Sequence, residues 1–158
     1  MNILTLLVSA ALAIAAPDKN TYTNPILFSD YSDPDVIRVG NDYWMTSSSF
    51  TCYPGLQILH STNLVDWEIA GAAVIDFSDD KNFDRPAHGN GVWAPCIRYH
   101  DGRFWIFWGD PDRGIYQVNT TDPRGEWTKP HLVMEGKGLI DTSDKAPAEP
   151  TTARHMVY

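Results

Sequence analysis

Basic residues are scarce and never clustered: 12 Lys and Arg face 20 Asp and Glu, for a formal net charge of −8. A surface of that sign repels polyanions, so nucleic acid is excluded as the expected partner and a neutral ligand fits better. Long apolar runs are lacking too. The uncharged stretch from Ile3 to Ala16 falls short of the roughly 20 apolar residues that cross a bilayer, so no membrane partner is expected. Cysteine is nearly absent. Cys52 and Cys96 either pair in an oxidising compartment or stay as two buried thiols; two residues make neither a disulfide framework nor a metal-ligand spacing, and no metal site is expected. Amphipathic helical periodicity is missing after about residue 20.

What the chain does contain begins with that first apolar run. It ends in Ala13-Ile14-Ala15-Ala16 before Pro17-Asp18-Lys19, which is the form of a secretory signal with an Ala-x-Ala cleavage end, although the basic n-region is missing. Residues 1–16 are therefore expected to be a signal peptide and the mature chain secreted, extracellular or periplasmic; an anchor or a misassigned start are the alternatives. About 142 residues then remain, few for an all-β architecture, which usually needs roughly 200 or more.

Short β-branched and aromatic runs recur throughout: Val36 to Val39, Tyr43 to Thr46, Leu56 to His60, Ile97 to Tyr99, Phe104 to Trp108 and Ile115 to Val118. Turn signals such as Gly40-Asn41-Asp42, Pro54-Gly55 and Asp101-Gly102 separate them, so the expected class is all-β. A repeat is visible on self-comparison. Pro34-Asp35-Val36-Ile37-Arg38, Tyr43-Trp44-Met45 and Asp66-Trp67-Glu68 return as Pro95-Cys96-Ile97-Arg98, Phe104-Trp105-Ile106 and Glu126-Trp127-Thr128, an offset of about 60 residues. Each copy holds three or four strands and ends in a Trp-bearing one, which is how a propeller blade is written, because a lone four-stranded sheet cannot bury both faces. A third copy starts near Ile140-Asp141-Thr142-Ser143. Residues 144–158, with two prolines and no strand-length apolar run, depart from the pattern and are expected to be a disordered tail or out-of-frame sequence.

The repeat also locates candidate chemistry. Propeller sites form where the first strands of the blades converge, and there the copies place Asp33, Trp93 and Asp141 in equivalent positions. Carboxylates around a channel mouth suit glycoside hydrolysis, in which one acid protonates the departing oxygen and another carboxylate activates water. Trp93 and Phe50 supply flat apolar faces on which a sugar ring stacks. Taken singly, each Asp reads as a turn cap and Trp93 as core.

Asn24-Pro25-Ile26-Leu27 with Ser32-Asp33-Pro34-Asp35-Val36-Ile37, Ser47-Ser48-Ser49-Phe50, Tyr53-Pro54-Gly55 and Gly91-Val92-Trp93-Ala94-Pro95 together resemble glycoside hydrolase family 43, over about residues 22–143. Within that family the likeness is to the β-xylosidase and α-L-arabinofuranosidase branch. The resemblance implies a five-bladed β-propeller, of which this chain would hold about two blades and the start of a third, and inverting hydrolysis of plant oligo- or polysaccharide. It implies Asp33 as general base, Asp141 as the acid that tunes the proton donor's pKa, and Phe50 and Trp93 as substrate-binding. The family's general acid is a downstream glutamate that no residue here matches; Glu149 lacks its surrounding motif. No cofactor is implied, a structural channel cation in full-length relatives being left open, as is the oligomeric state. Two other readings stand beside the enzyme: a non-catalytic sugar-binding remnant, and the non-functional product of a truncated or frameshifted gene.

Overall fold

The computed structural model describes residues 21–75, 77 and 89–139. Segment 1–16, Asp141 and the 144–158 tail lie outside them. Eight strands are described: β1 (Asp35–Val39), β2 (Asp42–Thr46), β3 (Gly55–Ser61), β4 (Glu68–Val74), β5 (Trp93–His100), β6 (Arg103–Asp110), β7 (Gly114–Thr120) and β8 (His131–Glu135). They form two four-stranded meanders, β1-β2-β3-β4 and β5-β6-β7-β8, with every neighbouring pair antiparallel. The all-β expectation holds, and each sequence repeat is one sheet.

The alternation of side chains explains why the sheets pack. Along β6, Phe104, Ile106 and Trp108 point one way and Trp105 and Phe107 the other, as a period of two requires. The first set meets Tyr116 and Val118 of β7 and, from the first sheet, Trp44, Leu56 and Ile58, in one core between the sheets. Leu56, Ile58, Ile97, Ile106, Trp108 and Val118 are all 0 % exposed. Full burial of each such side chain stabilises by about 1.5–3 kcal/mol, so the seam is the main source of cohesion. A smaller cluster of Phe107 and Ile115, flanked by Trp105, Val133, Met134 and Leu139, lies on the other face of the second sheet.

Polar contacts tie the two sheets along the seam. Asp35 of β1 accepts from the Ile97 N–H at 2.7 Å and from the Arg98 guanidinium at 2.5 Å, both on β5. Beyond the far ends of the strands, Arg124 donates to Glu68 at 2.7 Å and lies over the Trp44 ring, while His60 contacts Asp42 at 2.6 Å and Glu68 at 3.2 Å.

Two expectations change. Trp67 and Trp127 do not close the sheets from within strands: Trp67 precedes β4, its indole N–H on the Leu64 carbonyl, and Trp127 lies in the segment before β8. Cys52 is exposed, Cys96 is buried on β5, and no disulfide joins them.

Candidate active site

Three of the four sequence-derived site residues meet at one end of the seam. Asp33 lies two residues before β1, and Ser48 and Phe50 follow β2, which pairs antiparallel with β1 and so ends beside its start. Trp93 opens β5. The Phe50 and Val92 backbones exchange two hydrogen bonds of 3.0 Å, which brings the loop after β2 against the residue just before Trp93. Trp93 donates its indole N–H to the Gly89 carbonyl at 2.8 Å, which fixes the ring's direction.

Asp33 is not a local turn cap. Its Oδ2 accepts the Ser48 hydroxyl at 2.7 Å from 15 residues away. Among the described residues, its Oδ1 has no protein partner, and the residue is exposed, so that oxygen can hold water. The same Ser48 hydroxyl accepts the Ala94 N–H at 2.8 Å, and the Ser48 N–H donates to the Ser32 carbonyl at 2.9 Å.

The backbone here is strained. Asp33, Phe50 and Ala94 have φ of 48°, 53° and 35°, a region that costs a side-chain-bearing residue on the order of 1–3 kcal/mol and persists only where surroundings hold it. A cavity of about 280 Å³ adjoins the loop, lined by Tyr31, Ser48, Phe50, Cys52 and Gln57 among others but by neither Asp33 nor Trp93.

The remaining site expectation, Asp141, lies outside the described residues. Ser48 was not among the sequence candidates, although it stands in the serine run preceding Phe50; its partners lie 15 and 46 residues away, so no local pattern marks it. Asp110, at the end of β6, is 4 % exposed, and burial raises its pKa, partly countered by the Asp112 N–H that it accepts at 2.9 Å. At the far end of the seam, hydrogen bonds from Arg124 and then His60 hold the Glu68 carboxyl below its ordinary value. Among the described residues no three His, Cys, Asp or Glu side chains converge to hold a metal ion.

An exposed carboxylate open to water and an indole thus stand at the same end of the seam between two antiparallel meanders. The profile of glycosyl hydrolases family 43 matches residues 22–144, and the chain belongs to that family. It is 32 % identical over 145 residues to a non-reducing end α-L-arabinofuranosidase of Bacteroides ovatus, covering 89 % of this chain and 27 % of that one. It is 36 % identical over 116 residues to a β-xylosidase of Bacillus subtilis, covering 68 % and 22 %. Among solved structures, a family 43 protein of Bacillus licheniformis superposes with a TM-score of 0.64 at 34 % identity, over 75 % of this chain and 25 % of that one. The chain thus spans about a quarter of the length of these relatives.

Proposed function

We propose that the chain carries the base-bearing part of a glycosidase that cleaves xylose- or arabinose-containing oligo- and polysaccharides with inversion. Each sheet is one blade of a five-bladed propeller, and residues 1–16 export the chain from the cell. Asp33 is the general base: its Oδ1 takes a proton from a water while Oδ2 stays tied to Ser48. Trp93 and Phe50 form the walls against which the terminal sugar stacks. Asp141 is the acid that tunes the proton donor, and the donor itself is supplied by a residue that this chain does not match. An inverting geometry places that donor roughly 6.5–9.5 Å from the base, leaving room for water.

The observation that carries this reading is the Asp33 side chain, tied on one oxygen and open on the other, beside the start of the strand that bears Trp93. The test is turnover of aryl β-xyloside and aryl α-L-arabinofuranoside by the full chain, with Asp33→Asn as the control and NMR to identify the first-formed anomer. Turnover lost in Asp33→Asn, with an inverted product, supports it; turnover that survives the substitution refutes the base assignment.

A second reading, sugar binding without turnover, rests on the two aromatic residues, Trp93 and Phe50, brought to the end of the seam that holds Asp33. Quenching of tryptophan fluorescence by xylobiose in a chain that shows no hydrolysis identifies this case.

A further inference from the structure

We propose that Ser48 is a positioning residue for the base, its one hydroxyl fixing the Asp33 carboxylate relative to the start of the second sheet. The functional half of this proposal rests on reading Asp33 as the general base; the geometric half does not.

The roles of the hydroxyl are forced by its neighbours. A serine hydroxyl has one proton and two lone pairs. The Ala94 N–H can only donate, so at 2.8 Å it occupies a lone pair of Oγ. The proton is then free for Asp33 Oδ2 at 2.7 Å, a hydrogen bond strengthened when that oxygen carries charge. Ser48 is itself held, because its N–H donates to the carbonyl of Ser32, the residue preceding Asp33.

One side chain therefore joins three segments: the approach to β1, the loop after β2 and the first residues of β5. Two of its partners, Asp33 and Ala94, are in the left-handed region, at φ of 48° and 35°, where neither residue rests without support. Neighbouring Ser49 has a different task. Its Oγ accepts the Leu56 N–H at 3.1 Å and closes the turn into β3. Without the Ser48 hydroxyl, the Asp33 carboxylate is free to rotate away from the water it must deprotonate, and the start of β5 that carries Trp93 loses one of its anchors. Displacement of a catalytic group by about 1 Å is enough to cost on the order of 100-fold in rate.

The experiment compares the wild-type chain with Ser48→Ala, Ser48→Thr and Ser48→Cys, labelled with 13C at aspartate Cγ and with 15N on the backbone. The Asp33 resonance is assigned by its loss in Asp33→Asn. The expected result is a displaced Asp33 13Cγ resonance and an Ala94 amide that exchanges about tenfold faster or more in Ser48→Ala. Both return in Ser48→Thr, and the Ile97 amide, bonded to Asp35, is unchanged. Ser48→Cys keeps the volume with a weaker donor and is expected to fall between, so the comparison survives if Ser48→Ala fails to fold.

In turnover, kcat falls on the order of 10–100-fold in Ser48→Ala, with KM within about twofold. An Asp33 resonance and an Ala94 amide that stay at wild-type values in folded Ser48→Ala or Ser48→Cys overturn the proposal whether or not the chain hydrolyses anything. A wild-type kcat in Ser48→Ala overturns it as well. Hydrolysis that survives Asp33→Asn, alongside the expected NMR changes, overturns the assignment of the base instead.

Discussion

Removing the Asp35 carboxylate tests whether the seam is held by named contacts or by apolar packing alone. Asp35 accepts from the Ile97 N–H and from Arg98 across the seam, with Asp35 and Arg98 side chains 30 % and 25 % exposed. A charge-assisted hydrogen bond contributes roughly 1.5–3 kcal/mol, and a backbone N–H left unpaired costs about 1 kcal/mol or more. Partial exposure lets water replace part of both, so Asp35→Ala is expected to lose about 2 kcal/mol. Asp35→Asn keeps an acceptor for Ile97 but not the charge, and is expected to lose about half as much. For a chain of this size the alanine variant then melts roughly 4–8 °C lower. The assay is thermal unfolding followed by near-UV circular dichroism, as a cycle with Arg98→Met, which keeps the packed stem while removing the charge. A coupling of about 1 kcal/mol between the two sites is expected. Additive losses, or a melting shift under about 1 °C in Asp35→Ala, would refute the reasoning and show that this junction adds nothing to the apolar packing.

Three further outcomes are expected. A Cβ on Gly114 would lie 1.9 Å from the Met134 carbonyl oxygen, and Gly114 has a φ of +138°, so Gly114→Ala should lower stability by about 3 kcal/mol or more; an unchanged urea midpoint would contradict this. Asp110, with its pKa raised by burial, favours the protonated form in the folded state. Its contribution is present below 3.8 and is lost as pH rises through the raised folded value, so Asp110→Asn should flatten that fall in urea titrations from pH 3 to 7; an unaltered slope would count against it. Glu68 runs the opposite way: lowered by Arg124 and His60, it contributes above 4.5 and loses the contribution as pH falls through its folded value. Arg124→Ala should remove that acid-side dependence, with an effect at neutral pH that is small and suppressed by salt; a large, salt-insensitive loss would show that Arg124 matters through its packing on Trp44.

Most of the fold was legible because its strands are written in β-branched and aromatic residues. The two strands without such a run are the exceptions. β4, Glu-Ile-Ala-Gly-Ala-Ala-Val, is mostly small residues, and pairing with β3, not intrinsic preference, makes it a strand. β8 is five residues with both ends exposed, paired on one side only to β7. The tryptophans misled for a related reason: a large aromatic beside a strand looks like part of it, but Trp67 and Trp127 stand half-buried in the segments before β4 and β8, Trp127 packed against the core. At the site, Asp33 and Trp93 were legible as candidates because the repeat places them at matching positions, and Phe50 because its aromatic face suits a sugar ring and it stands in the family-like serine run. Ser48 was not, because a hydroxyl's role is set by what the fold brings within 3 Å of it, and one serine in a run of three looks like the others.

The site and the seam are one structure. Asp33, Phe50 and Ala94 hold costly backbone angles at the same end of the interface, and such angles persist only where the surroundings over-determine them. Those surroundings are the core between the sheets, with Leu56, itself at a φ of 50°, and Val92, two residues before Ala94, at 0 % and 2 % exposed. Neither sheet alone supplies the geometry: Asp33 and Ser48 flank strands of the first, Ala94 and Trp93 lie on the second, and the hydrogen bond from the Ala94 N–H to the Ser48 hydroxyl crosses the boundary. The angle between the sheets therefore sets the distance from the Asp33 carboxylate to the Trp93 indole. Asp35, two residues past Asp33, and Ile97, three past Ala94, join the sheets directly behind the site, which makes the stability of that junction a condition for any chemistry at its end.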